Sequence, residues 1–221
     1  MPHATTGTEG LPTADGRGDY ECEVQRKAFH LVALIIPVGY LFFPEEGQAK
    51  AILLGAMIFA VFVDIFRLSE PRLRHFLNSL IGAIMRPHER TDLLGSTCLL
   101  ISSVMTALIF PKAVAVAALC LLIGGDTAAA LVGKRFGRLR IFGRKTLEGT
   151  LAFVAAGMVL NAGVSLAGYR LWPDAAGLSL SAGMIGALVG ALVEAVPFPI
   201  DDNFAIPIIS GVAMVLAGIM Q

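Results

Sequence analysis

Acidic residues at the ends of apolar segments are the first feature of the sequence that could do chemistry. Asp126 lies inside one apolar segment, and Asp201 and Asp202 form an adjacent pair just before another. Carboxylates in membrane helices are costly and usually face a protein interior or an aqueous cavity. Two adjacent acids beside such a helix are hard to place without a cation. Taken singly, the other polar residues of this kind favour a structural interpretation: His30, Asp64, Glu89, Glu148 and Glu194.

A basic loop follows Asp126 and could bind a polyanion. Residues 133–148 carry six Lys or Arg side chains, and acids flanked by such bases are what a metal–nucleotide site needs. Mg²⁺ takes oxygen ligands from one or two carboxylates plus phosphate oxygens, and Lys and Arg then neutralise the remaining phosphate charge. Glycines let backbone N–H groups approach a phosphate, and here they are Gly133, Gly137, Gly143 and Gly149. A membrane-surface anchor and a structural turn are the alternative interpretations of the loop.

The elements that must position these residues are membrane helices. The chain has 221 residues, of which 56% are hydrophobic and 15% charged, and this composition indicates an integral membrane protein rather than a soluble domain. We predict an all-α bundle of about seven transmembrane helices, an interfacial helix within residues 70–90, and a local opening at Gly124-Gly125. The predicted spans are residues 28–44, 49–66, 93–111, 112–132, 149–169, 175–196 and 203–220.

The distribution of Lys and Arg predicts the orientation of the bundle. With seven spans, 14 of the 17 Lys and Arg residues fall on the side of the N-terminus, and cytoplasmic loops carry the excess of positive charge. The N-terminus is therefore predicted to be cytoplasmic and the C-terminus to lie outside. The same topology gathers the acids at the cytoplasmic face. Residues 1–25 predict a disordered polar tail, and residues 26–221 a single transmembrane domain.

Several blocks of the sequence resemble one known family, in the same order along the chain. "GDTAAALVGKRFG" followed by "KTLEGT" resembles the nucleotide-binding signature of the CTP-dependent lipid kinases, which include dolichol kinase, phytol kinase and CTP-dependent diacylglycerol kinase. The blocks "RKAFH", "DIFR", "RPHER", "LLGST" and "VEAVPFPIDDNFAIPIISG" resemble further parts of these kinases. The resemblance covers nearly everything after residue 25.

The resemblance implies an enzyme that transfers the γ-phosphoryl group of CTP to the hydroxyl of a membrane lipid alcohol at the cytoplasmic interface. The acceptor would be a polyprenol or dolichol, a diacylglycerol or phytol. Under this hypothesis Mg²⁺ is held by Asp126, Asp201 and Asp202, with Glu194 as a further ligand. A carboxylate must also take the proton of the attacking alcohol. Asp202 or Asp64 is the expected base, and His30 is less favoured.

The same resemblance implies which residues bind the nucleotide. Glu148 is expected to orient Lys145 or the cytidine. Basic residues outside the loop add positive charge at the same face, and these are Arg26, Lys27 and Arg86. The expected contacts to the triphosphate come from the basic loop and its surroundings: Gly133, Lys134, Arg135, Gly137, Arg144, Lys145, Thr146 and Gly149.

Two other functions fit parts of the pattern. Phosphatidate cytidylyltransferase carries a similar signature and would attack the α-phosphorus, but the sequence Asp201-Asp202-Asn203 favours the kinase. A non-enzymatic transporter or anion-binding protein is disfavoured, because transporters place polar residues near the midplane and repeat their halves. The expected partners are CTP, the lipid alcohol and the bilayer, with no nucleic acid. The oligomeric state stays open, a homodimer included.

Overall fold

The computed structural model describes residues 16–81, 89, 91–143, 145–171, 177–197 and 200–219. Within these ranges the chain forms ten α-helices and one small antiparallel hairpin. The helices are α1 Gly16–Val32, α2 Ile35–Phe42, α3 Glu46–Ser69, α4 Pro71–Ile81, α5 Gly95–Ile109, α6 Lys112–Cys120, α7 Asp126–Phe136, α8 Leu147–Leu171, α9 Leu180–Ala195 and α10 Asp202–Ile219. The hairpin strands are β1 Arg140–Phe142 and β2 Lys145–Thr146.

Four helical segments of the described chain are long and apolar enough to cross a membrane. They are Glu46–Ser69, Lys112–Phe136, Leu147–Arg170 and Asp202–Ile219, and Gly95–Ile109 and Leu180–Ala195 are shorter apolar helices. The protein is therefore an all-α membrane protein, as its composition predicts.

The first predicted span is interrupted by a turn at residues 33–34, which we call the α1–α2 bend. Between α1 and α2 the N–H groups of Ala33 and Leu34 donate to carbonyls three residues back, those of His30 and Leu31, at 3.0 Å each. Pro37 lies one turn later, and its ring has no N–H and crowds the carbonyl four residues before it. The bend at residues 33–34 follows from this proline.

The N-terminal helix extends into the segment predicted to be a disordered tail. α1 begins at Gly16 and therefore includes residues 16–25. Glu23 of this stretch pairs with Arg26 and lies 3.7 Å from Lys134 of α7. The guanidinium of Arg135 lies over the ring of Tyr20, 5.7 Å from its centre. Contacts with α7 thus hold a stretch that composition alone assigns to disorder.

The segment Lys112–Phe136 forms the core of the bundle. In its most apolar window 78% of the residues are buried, against 11% for α3. Ala115, Ala117 and Ala118 are fully buried in α6, and small side chains of this kind let membrane helices approach closely. Protein thus surrounds the segment that carries Asp126.

A π-helical turn, Leu121–Gly125, joins α6 to α7. The chain opens where the glycine pair predicts it, and such turns are frequent at functional sites. A side chain at Gly124 would come within 2.5 Å of the Leu160 side chain, and one at Gly125 within 2.8 Å of Phe153. Both contacts are with α8, and the Phe153 ring leaves no room for a side chain at Gly125, so close packing on α8 favours glycine here.

Candidate active site

A cavity of about 460 Å³ collects many of the predicted polar residues. Its charged part is formed by α1, by Glu89, by the start of α7 and by the start of α10: Arg26, Lys27, His30, Glu89, Asp126, Asp201, Asp202 and Asn203. Its apolar part continues along α1 and α2 and along the beginning of α5: Phe29, Val32, Ala33, Ile35, Ile36, Leu94, Leu99 and Leu100. The cavity therefore offers two chemically different surfaces side by side.

Asp126 stands where the π turn meets α7 and is paired with a base from α1. Lys27 donates a hydrogen bond to Asp126 Oδ2, and the Lys27 side chain is buried. His30 Nε2 lies 3.8 Å from the same oxygen. Three residues predicted for nucleotide or metal chemistry are thus brought together, and the ion pair ties α1 to the core segment.

The His30 ring lies beside the π turn. It faces the backbone of Leu122, a residue of that turn. In the described part of the chain, His30 Nε2 is buried without a hydrogen-bond partner. An unpaired buried nitrogen is costly, and this one belongs to a residue that lines the cavity.

Lys145 connects the hairpin to α9 and α10. Its Nζ lies 2.5 Å from Glu194 Oε1 and 3.6 Å from Asp202 Oδ2. Burial alone lowers the pKa of Lys145, but the hydrogen bond to Glu194 and the carboxylates of Asp202 and Asp126 outweigh burial and raise that pKa above its usual range. Lys145 is therefore positively charged throughout the neutral pH range.

Glu148, expected to orient Lys145 or the cytidine, contacts the loop backbone instead. Its Oε1 accepts hydrogen bonds from the N–H groups of Arg138 at 3.0 Å and Leu139 at 3.2 Å. Glu194 is the acid that orients Lys145. The loop before β1 is thus fastened to the first turn of α8, and this arrangement fixes the hairpin.

Three glycines of the basic loop are required by close packing. Side chains at Gly133 and Gly137 would come within 2.9 Å and 2.6 Å of Thr146, and one at Gly149 within 2.8 Å of the Ala129 carbonyl oxygen. The Thr146 hydroxyl accepts the N–H of Gly149 at 3.2 Å and caps α8. Gly143 has φ of 55°, the left-handed conformation that the hairpin turn needs. Contact of α7 with the start of α8 accounts for these positions without a ligand.

Asp64, a predicted base, is fully buried in a structural ion pair. Its Oδ1 accepts from Arg67 Nε at 2.9 Å, and its Oδ2 accepts the N–H of Leu94 at 2.9 Å. Arg67 also donates to the carbonyl oxygens of Glu89 at 3.0 Å and Asp92 at 2.5 Å. The pair positions the segment before α5, and both oxygens of Asp64 are already occupied.

The two acids at the start of α10, Asp201 and Asp202, make different contacts. Asp201 Oδ1 accepts the backbone N–H of Asn203 at 2.8 Å and its side-chain amide at 2.7 Å, so Asp201 caps α10. Ser102 of α5 donates to the Asn203 carbonyl oxygen and ties α10 to α5. The Asp202 side chain is 43% exposed and approaches Lys145. Asp202 is the member of the pair that the cap does not use.

The acids fit a magnesium–nucleotide site better than a cage made of protein ligands alone. Among the described residues, no group of three or more His, Cys, Asp or Glu side chains is gathered to hold a metal ion. Mg²⁺ is commonly held by only one or two carboxylates, with substrate phosphates completing its shell. Asp126, Asp201 and Asp202 line one cavity and can supply that number, whereas Glu194 is bound to Lys145.

The cavity includes residues that the sequence did not point to, and two expected residues lie outside the described part of the chain. Arg86 and Arg144, both expected to bind nucleotide, lie outside the described residues. Gly95 and Ser96 line the cavity but were given no role, although they belong to the matched block "LLGST". The apolar wall was not located from sequence, because lipid-facing and cavity-facing apolar residues look alike there.

The fold and the cavity define a helical membrane protein with a site for a charged ligand beside an apolar surface. No family model and no solved structure matches the chain. It is 30% identical over 223 residues to CTP-dependent diacylglycerol kinase 1 of Eremothecium gossypii, covering 92% of this chain and 70% of that relative. The Saccharomyces cerevisiae protein of that name is 29% identical, with 87% and 72% covered. Chloroplastic farnesol kinase of Arabidopsis thaliana is 30% identical, with 60% and 46% covered.

The chain therefore belongs to the CTP-dependent lipid kinase family. The resemblance of its motifs to this family is confirmed, and the protein is an enzyme, a lipid-alcohol kinase.

Proposed function

We propose that the enzyme transfers the γ-phosphoryl group of CTP to the hydroxyl of a membrane lipid alcohol, with Mg²⁺, at the cytoplasmic interface. The observation that carries this proposal is that carboxylates, basic side chains and an apolar wall meet in one cavity. Relatives are named for diacylglycerol and farnesol, and both acceptors are alcohols attached to hydrocarbon. Diacylglycerol and prenols are thus the acceptor classes to test first.

The proposed topology has seven membrane crossings with a cytoplasmic N-terminus. It counts the bent α1–α2 unit as the first crossing and the short helices α5 and α9 as two more. The excess of Lys and Arg on the side of the N-terminus supports this orientation. Under this topology the charged part of the cavity lies at the cytoplasmic face and α4 lies along it.

Basic residues from three elements would bind the triphosphate of CTP. Lys145 is held charged and in place by Glu194, and Arg26 and Lys27 line the cavity from α1. Lys134 and Arg135 stand in the last turn of α7 and extend the positive surface toward α1. Electrostatic positioning of this kind is the main contribution of protein to phosphoryl transfer.

Asp126 would be the principal protein ligand of Mg²⁺. Asp201 is engaged as a helix cap and Glu194 as the partner of Lys145, whereas Asp126 stands at a π turn inside the cavity. When bound, Mg²⁺ neutralises charge on the phosphate oxygens. Lys27, the present partner of Asp126, would then lie beside the phosphates.

Asp202 would accept the proton of the acceptor hydroxyl. The hydroxyl oxygen forms a bond to the γ-phosphorus, its proton passes to the Asp202 carboxylate, and the bond from phosphorus to the bridging oxygen breaks to release CDP. Asp64 is an unsuitable base because both its oxygens already accept hydrogen bonds and its side chain is fully buried. His30 is the second candidate, since its unpaired Nε2 belongs to a residue that lines the cavity.

The test uses purified protein in detergent with Mg²⁺ and CTP labelled at the γ- or the α-phosphorus. Diacylglycerol, farnesol, phytol, a polyprenol and phosphatidate serve as acceptors, and γ-labelled ATP is the control nucleotide. We expect label in a lipid alcohol from γ-CTP alone. Label in phosphatidate from α-CTP would show a cytidylyltransferase, and absence of label with every acceptor would contradict the proposed substrates.

A further inference from the structure

We infer that the apolar wall of the cavity binds the part of the acceptor's hydrocarbon chain nearest the hydroxyl, which enters from the bilayer between the α1–α2 bend and the start of α5. This inference rests on the proposed function. It assigns a binding site for the lipid acceptor to the surface formed by Val32, Ala33 and Ile36 on one side and Leu99 and Leu100 on the other. We call this surface the acceptor groove.

The bend of the first span shapes one side of the acceptor groove. α1 stops at Val32 and α2 starts at Ile35, and residues on both sides of the break line the cavity. The break follows from Pro37, which removes a backbone donor one turn later. An unbroken helix would place the side chains of this wall in different positions.

The acceptor groove is continuous with the reacting groups. His30 of α1 and Asp202 of α10 line the same cavity as Ala33 and Leu99. A lipid alcohol has one polar end, and a molecule lying in the groove would bring that end to the carboxylates. CTP is polar over most of its surface and would leave the apolar wall uncovered. The apolar wall is therefore expected to bind the second substrate, the lipid alcohol.

The groove opens at the outer surface of the bundle. Phe29, Val32 and Ile35 line the cavity, yet they are 62%, 67% and 73% exposed. Exposed aromatic and aliphatic side chains on a membrane helix face lipid, because water would leave them unfavourably hydrated. The cavity thus borders the region where a lipid's chains already lie.

The extent of the wall predicts which part of the acceptor is recognised. Ile36 lies six positions after His30, which is about 9 Å at the rise of a helix. Hydrocarbon beyond that distance would remain in the bilayer. We therefore expect activity to depend on the first carbons next to the hydroxyl and to vary little with the length of the distal chain.

The first test fills the groove with Ala33→Phe and compares it with Ala56→Phe. Ala56 is exposed on α3 and lies outside the cavity. For Ala33→Phe we expect the KM for the lipid alcohol to rise about tenfold or more, with the KM for CTP unchanged. Ala56→Phe should leave both constants at wild-type values. An active Ala33→Phe enzyme with an unaltered lipid KM would overturn the inference.

A second test needs no variant, and it tests the acceptor groove even if the Ala33→Phe protein does not fold. Wild-type enzyme is irradiated with a diacylglycerol that carries a diazirine near its glycerol end, with and without excess unlabelled diacylglycerol. Competed adducts within residues 29–36 and 94–100 would support the groove. Competed adducts confined to α3 or α8 would overturn it.

Failure of the groove and failure of the proposed function give different results. A wild-type enzyme that phosphorylates no lipid alcohol from γ-labelled CTP contradicts the proposed function. An active wild-type enzyme whose lipid KM does not respond to Ala33→Phe contradicts the groove alone.

Discussion

Lys145 lies between two carboxylates that come from different helices, and its position is fixed before any phosphate arrives. The Glu194 contact at 2.5 Å is the closer one, and Asp202 is 3.6 Å away. A cation held in advance needs little reorganisation when charge develops on a phosphoryl group. Much of the electrostatic contribution to catalysis should therefore depend on this side chain.

Lys145→Ala is expected to lower kcat by about 100-fold or more, the usual effect of removing one preorganised charge. The measurement is transfer of label from γ-CTP to lipid. Lys50→Ala is a matched control, since Lys50 also pairs with a glutamate, Glu46 at 2.6 Å, but belongs to α3, which supplies no residue to the cavity. Comparable activity in the two variants would remove Lys145 from the chemistry.

The acids before α10 can be separated by conservative substitutions. Asp202→Asn should reduce kcat by about 100-fold or more, because an amide does not accept the hydroxyl proton. Asp201→Asn should retain most activity, because asparagine caps a helix about as well as aspartate. The γ-CTP assay compares them, with thermal unfolding in detergent as the check on folding. Loss of turnover in a stable Asp201→Asn enzyme would instead identify Asp201 as a metal ligand.

At the scale of elements, the approach of α7 to the start of α8 positions the hairpin and therefore Lys145. A side chain at Gly149 would meet the Ala129 carbonyl oxygen and the backbone of Gly133. Neither neighbour is a flexible side chain that could move aside. The helices can keep this spacing only with glycine at position 149.

Gly149→Ala is expected to destabilise the protein by about 1–3 kcal/mol, the usual cost of overpacking. Gly163→Ala is the control on the same helix, since a methyl group there meets nothing within 4 Å. That change should be neutral or stabilising by up to about 1 kcal/mol, because alanine favours helix. Thermal unfolding in detergent measures both, and equal stability of the two variants would contradict the packing account.

The helices were largely predictable, and the contacts between them were not. Long apolar runs predicted helices where the structure has α3, α8 and α10, and Gly124-Gly125 predicted the opened turn. The β1–β2 hairpin was missed because strands of two or three residues leave no periodic pattern. The start of α1 was missed because its helix depends on partners in α7.

The same limit applies to the site. Motifs indicated which residues gather, but Lys27 and Asp126 are 99 positions apart, and Lys145 and Glu194 are 49 apart. No local rule pairs residues at such separations. Glu148 was therefore expected to orient Lys145 because it is close in sequence, whereas in the structure the partner of Lys145 is Glu194. Asp64 was expected to be a base because its burial could not be read from its neighbours.

At the scale of the whole molecule, the orientation in the membrane is the feature most open to a direct test. In a background with Cys22, Cys98 and Cys120 replaced by alanine, single cysteines are introduced by Arg138→Cys and Gln48→Cys. A membrane-impermeant maleimide added outside sealed, right-side-out vesicles should label only position 48, and position 138 should react only after permeabilisation. The reverse pattern would contradict a cytoplasmic N-terminus.

The pairing of Lys27 with Asp126, and of Lys145 with Glu194 and Asp202, also bears on how the chain is built. Synthesis proceeds from the N-terminus, so in both cases the base is made before the acids that it will meet. When each helix that carries one of these carboxylates reaches the membrane, the basic side chain that pairs with it has already been synthesised. The costly step of placing an acid among apolar helices can thus coincide with docking onto an earlier part of the bundle.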